Sequence, residues 1–120
     1  MSAKVYGAEE IAARLSRDLP RWRHVDGVIA RTFRTHSWKG TMLAAGAVAH
    51  LAEAAWHHPE LVLNYPSLEV RLNTHDAGGV TDKDFELAAM IEQVIGWRPA
   101  GGALEGTPDD AASAYLRYDG

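Results

Sequence analysis

The chain has 120 residues, room for one compact domain with a hydrophobic core and too little for two. An apolar fraction of 47% and a charged fraction of 23% are those of a globular protein and exclude the disordered and collagen-like classes. A formal net charge of −4 without a basic run excludes the electrostatic footprint of direct nucleic-acid binding, and the lack of cysteine excludes disulfides, thiolate metal sites and cysteine nucleophiles together.

Residues 1–7 show no basic start followed by a hydrophobic run, and no apolar stretch approaches the ~20 residues of a membrane span. A cytoplasmic protein is expected, in keeping with the missing cysteines.

Over residues 8–19, Ile11, Leu15 and Leu19 recur four apart behind two early acids, which predicts a first helix stopped by Pro20. Residues 22–25 and 28–35 are rich in branched and aromatic side chains, and Asp26-Gly27 between them is the signal of a two-residue hairpin turn. Ser37 is a suitable N-cap for a long alanine-rich helix, with Trp38, Met42, Ala45, Ala49, Ala52 and Trp56 down one side and Leu43, Ala47 and Leu51 on a second face. The small residues suit close helix contact, within the chain or between subunits.

Residues 61–65 and 68–74 follow as two further strands divided at Pro66-Ser67. In the second, Leu68, Val70, Leu72 and Thr74 alternate with Glu69, Arg71, Asn73 and His75, the pattern of a strand with one buried and one wet face. A third helix begins at Thr81-Asp-Lys-Asp84, a capping box with aspartate as its acidic member, and runs to about Ile95 before Gly96. After a glycine-rich stretch, Thr107-Pro-Asp-Asp110 predicts a short final helix over 108–117. The expectation is α+β: a four-stranded antiparallel sheet with helices on one face, in the order α-β-β-α-β-β-α, plus a C-terminal extension.

Chemistry concentrates in Glu53-Ala-Ala-Trp-His57-His58-Pro59. In a helix running through His57, Glu53 is four residues back on the same face, where its carboxylate can orient the imidazole. Pro59 disfavours helical backbone at His58, and a break there turns two side chains that would diverge by about 100 degrees toward one pocket. His75, at the strand end before a glycine loop, is the third imidazole that can converge on them. The plainer alternative is that His57 and His58 are cations at a helix C-terminus. A metal site is disfavoured: His50 and His57 on one face stand about 10.5 Å apart along the axis, and no ligand-spacing signature is present. His24, His36 and His50 receive no role.

Glu53-x-x-x-His57-His58-Pro59, with Tyr65, Thr74-His75, Gly79, Thr81 to Asp84, Ile91-Glu92-Gln93 and Trp22, resembles the signature of the pterin-4a-carbinolamine dehydratases. The resemblance implies a dehydratase-like domain over 1–97, with 98–120 as an extension. It implies removal of water from a 4a-hydroxytetrahydropterin to give quinonoid dihydropterin, in recycling of the tetrahydropterin cofactor of aromatic amino acid hydroxylases. No metal or organic cofactor is implied. His57, His58 and His75 would be catalytic, with His57 and His75 as acid and base partners and His58 orienting substrate. Glu53, Pro59, Thr74 and Asp84 would bind or support, Asp84 more as a structural cap than as a proton carrier. A homodimer or homotetramer is implied, and the alternative function is a non-catalytic protein-protein scaffold of the same fold. Pro66, directly after Tyr65, and the long tail after Trp97 depart from the family pattern.

Overall fold

The computed structural model describes residues 3–118; residues 1, 2, 119 and 120, the outer ends of the two expected segments, lie outside it. Helix α1 (Ala8–Asp18) is followed by β1 (Arg23–Val25), β2 (Val28–Arg34), α2 (Trp38–Ala55), β3 (Glu60–Asn64), β4 (Ser67–Leu72) and α3 (Asp82–Ile95), with a one-turn 3-10 helix at His75–Ala77. The strands form one antiparallel sheet in the order β1-β2-β4-β3. The expected α+β architecture and element order are therefore found.

Asp26 and Gly27 both take positive φ, 50° and 76°, as a primed hairpin turn requires, and Val25 pairs with Val28 across it. The β3–β4 turn falls one residue earlier than expected, on Tyr65-Pro66, since Asn64 already pairs with Ser67. Proline suits such a turn because it needs no donor, and the Pro66 carbonyl accepts from Thr35 N.

Alternation along β4 is as the sequence predicts: Leu68, Val70 and Leu72 are buried and Glu69 and Arg71 face the opposite side. Ile29 and Phe33 of β2 join the same inner face, against Ile11 and Leu15 of α1, Val48 of α2 and Phe85, Ala88 and Ile91 of α3. The outer face carries a charged row in which Arg23 pairs with Glu69, and Arg71 with Glu60 at 2.9 Å and Glu69 at 3.6 Å. Arg31 is the exception on the inner face. It is buried, and its Nε donates at 2.6 Å to Glu92 Oε1, which also accepts from Trp22 Nε1 at 2.9 Å.

Two expectations about α2 are corrected. Its buried face is Thr41, Ala44, Ala45, Val48 and Ala52, whereas Trp38, Met42 and Leu43 are exposed, because the true stripe is rotated toward the small residues that let the helix sit close to the sheet. The helix also ends at Ala55, before either histidine. No helix among the described residues is long and apolar enough to cross a membrane.

The short helix expected at 108–117 contracts to a single turn, in which Ser113 N and Ala114 N bond to the Asp110 carbonyl. Beyond it the tail is extended. Leu116 forms an antiparallel bridge with Thr35, Arg117 N donates to Arg34 O and His36 N to Tyr115 O, each at 2.9 Å, while Leu116 joins the core. Tertiary pairing has overridden the local cap signal, because a buried leucine and two main-chain bonds outweigh one N-cap.

Candidate active site

The C-terminus of α2 sets the site. Trp56 adopts a left-handed conformation, φ 54° and ψ 48°, with its N–H bonded to Ala52 O and Glu53 O, and His57 N reaches back to Ala52 O at 3.0 Å. This is a Schellman-type ending, normally built on glycine or asparagine, and it reverses the chain so that the next side chain turns inward. The break therefore comes from Trp56, two residues ahead of the point at which Pro59 was expected to act. Pro59 only keeps the helix from resuming on the way into β3.

The consequence is a different division of partners from the one the helical spacing suggests. His57 Nε2 lies 2.6 Å from Asp84 Oδ1, and it is His58 whose Nε2 lies 2.7 Å from Glu53 Oε1. Glu53 does not support His57, because the left-handed turn rotates His57 off the helical face that a continuous helix would have given it. His57 is largely buried, whereas His58 and Glu53 face solvent. The two imidazoles thus take separate carboxylates.

Asp84 is fully buried at the start of α3, and every bond it makes can be assigned. Its Oδ2 accepts from Thr81 N and from Thr74 Oγ1, both at 2.9 Å. Thr74 Oγ1 also lies 2.6 Å from Thr81 Oγ1, which accepts from Lys83 N at 3.3 Å. Thr74 has one hydroxyl hydrogen and spends it on Asp84, so Thr81 donates to Thr74. An ionised Asp84 is an acceptor only, so Oδ1 takes the Nε2–H of His57 and leaves Nδ1 as that ring's other nitrogen. Asp84 is at once the acidic member of the capping box and the partner of His57, a double use that makes its cap and its site role inseparable.

His75 lies past the end of β4, not within it: the strand stops at Leu72, and His75 opens the 3-10 turn with its side chain exposed. Thr74, immediately before it, is pinned by main-chain bonds to Gly79 as well as by its hydroxyl. A continuous path therefore runs from His57 through Asp84 to Thr74 and so to the backbone of His75. Cavities of about 240 Å³ beside Arg31 and Glu92 and about 930 Å³ within the tail are lined by none of His57, His58 and His75. Among the described residues no group of three or more His, Cys, Asp or Glu is arranged to hold a metal ion.

Comparison with known proteins identifies the family. The sequence model described as pterin 4 alpha carbinolamine dehydratase matches residues 4–94. A relative from Aquifex aeolicus, named for pterin-4-alpha-carbinolamine dehydratase, is 39% identical over 73% of this chain and 89% of its own length. One from Chloroflexus aurantiacus, similarly named, is 44% identical over 72% of this chain and 92% of its own. The crystal structure of a transcriptional coactivator/pterin dehydratase from Brucella melitensis superimposes with a TM-score of 0.69 at 29% identity, covering 76% of this chain and 98% of that one. The chain belongs to the pterin 4 alpha carbinolamine dehydratase family, whose namesake activity is that of a hydro-lyase.

Proposed function

We propose that the protein dehydrates a 4a-hydroxytetrahydropterin to quinonoid dihydropterin, returning the cofactor to a form that can be reduced and reused. The observation that carries this reading is His57 held on a buried Asp84 that is itself held by Thr74, next to His75. The reaction breaks the bond to the 4a-hydroxyl, which leaves as water after gaining a proton, while a ring nitrogen gives up its own proton to complete the new double bond. Imidazole both gives and takes protons near neutral pH, so one ring serves each transfer. His57 and His75 are the acid and base pair, and His58, oriented by Glu53, contacts and positions the substrate. The Asp84 carboxylate fixes His57 in the tautomer that presents Nδ1 to the substrate and balances the charge when that ring is protonated. The substrate is the only pterin involved, and no metal or organic cofactor enters the scheme.

Stopped-flow absorbance of freshly generated 4a-hydroxytetrahydropterin tests this directly. Wild type should accelerate its decay over buffer and over both His57→Ala and His75→Ala; a wild-type trace matching buffer discards the proposal.

An assembled form belongs to the same reading. Trp38, Met42 and Leu43 project from one end of α2, and β3 has one edge unpaired among the described residues, which supports a homodimer or homotetramer. The same apolar surface supports, as a second reading, a scaffold role toward another protein. Sedimentation velocity of wild type and of Met42→Glu separates the two: loss of a dimer or tetramer in the variant assigns the surface to self-association.

A further inference from the structure

Trp56 combines two properties that oppose each other. Its left-handed φ of 54° is unfavourable for any side chain with a Cβ, and most of all for a bulky one. Strain of this kind persists where something else requires it. Yet the indole is 75% exposed, the most exposed large apolar side chain among the described residues, so packing within the protomer does little to offset the strain. Glycine would satisfy the backbone at this Schellman position better.

The surroundings indicate what the ring meets. Trp56 immediately precedes His57, and its ring stands edge-on to the His58 imidazole, with centroids 5.0 Å apart and planes at 83°. His58 is itself tied through Nε2 to Glu53, so imidazole and indole stand together as the two residues that flank His57 in the chain. The bonds that Asp84 makes besides the one to His57 come from the Thr74 hydroxyl and the Thr81 main-chain amide. A flat, bicyclic heteroaromatic substrate needs an apolar face as well as proton donors and acceptors, and an exposed indole supplies one.

We infer that Trp56 is a substrate-positioning residue, the aromatic surface on which the pterin ring is laid so that its hydroxyl-bearing carbon faces His57. This rests on the dehydratase reading above. The left-handed backbone then serves two ends in one residue: it turns His57 inward onto Asp84 and leaves the preceding ring outward over the same site.

The test compares Trp56→Gly, Trp56→Ala and Trp56→Phe in the full chain. Two readouts are used: steady-state dehydration, and fluorescence anisotropy of a fully oxidised pterin, which binds but has no hydroxyl to lose. Gly and Ala should weaken pterin binding and raise KM by about tenfold, the size of one lost stacking contact, with kcat little changed. Phe should retain most of the affinity. The Gly variant should melt ~2–5 °C above the Ala variant, since only glycine relieves the left-handed backbone. Wild-type affinity in both Gly and Ala overturns the inference while leaving the dehydratase reading intact. A shift of their sedimentation to a smaller species assigns the ring to a subunit contact and also overturns it. Failure of wild type itself to bind any pterin removes both readings together.

Discussion

His57 Nε2 and Asp84 Oδ1 stand 2.6 Å apart although 27 residues separate them in the chain. One lies just past the end of a helix and the other in the first turn of the next, so two helix termini are locked together by a single contact. An isolated buried carboxylate would be costly, and here it is offset by two oxygen–hydroxyl or oxygen–amide bonds besides the imidazole.

Asp84→Asn should keep the cap, since the amide oxygen can still accept from Thr81 N, but it removes the anion facing His57. We expect dehydration to fall on the order of 10²-fold, and His57→Ala to fall on the order of 10²–10⁴-fold. Stopped-flow rates beside circular dichroism of each variant provide the check. A folded Asp84→Asn protein with the wild-type rate would reduce Asp84 to a cap.

Thr74→Val takes from Asp84 Oδ2 one of its two donors and from Thr81 its hydroxyl acceptor, all inside the fold. The expected cost is ~1–3 kcal/mol, the range for leaving buried polar atoms unmet. Urea denaturation monitored by tryptophan fluorescence measures it. Thr74→Ser, which keeps the hydroxyl, should lie near wild type.

Gly40, in the first turn of α2, lies under the tail: a Cβ there would come within 2.5 Å of the Tyr115 carbonyl oxygen. The obstacle is main chain, so Gly40→Ala must displace residues 115–117 from Thr35 and cost about 1–3 kcal/mol, as overpacking does. Limited proteolysis should cut the variant's tail faster than the wild-type tail, and equal rates would mean the tail does not rest on α2 in solution.

The Tyr6 hydroxyl, bonded to Asp82 Oδ1 at 2.7 Å, and the Arg14 guanidinium at 2.8 Å together hold the Asp82 carboxyl below its usual value of 3.8. A carboxylate depressed in the folded state adds stability above its unfolded pKa and loses it as pH falls through the folded one. Asp82→Asn should therefore be less stable than wild type at neutral pH, with the difference closing below pH ~4. Denaturation midpoints at several pH values test the sign; a gap that widens in acid contradicts it.

Periodicity and turn chemistry made most of the framework readable before any coordinates. Leu68, Val70 and Leu72 announce their strand by alternation, Asp26-Gly27 announces its turn, and Thr81 with Asp84 announces a helix start. The misassignments have separate physical causes. Trp56 in a left-handed conformation has no sequence signal, since that position is usually recognised by glycine, and from it followed both the late helix end and the pairing of Glu53 with the wrong histidine. Trp38 and Met42 satisfied the helical period but not the position of the sheet, which selects the alanine face. The tail looked like a helix start because Thr107-Pro108 is one locally, while the Leu116 bridge to Thr35 is a contact 81 residues away that no local pattern encodes.

The Leu116 bridge also bears on how the sheet can grow. Residues 34–36 pair with the tail on the side that β1 has left open, while β3 keeps its outer main-chain groups unpaired among the described residues. A sheet with two free edges can recruit copies without end, as fibrils do. On one side the tail's bridge covers the part of β2 that three-residue β1 does not reach, so only the short outer edge of β1 is left there, whereas β3 offers a longer one. The extension thereby completes the sheet edge that the short β1 leaves unfinished.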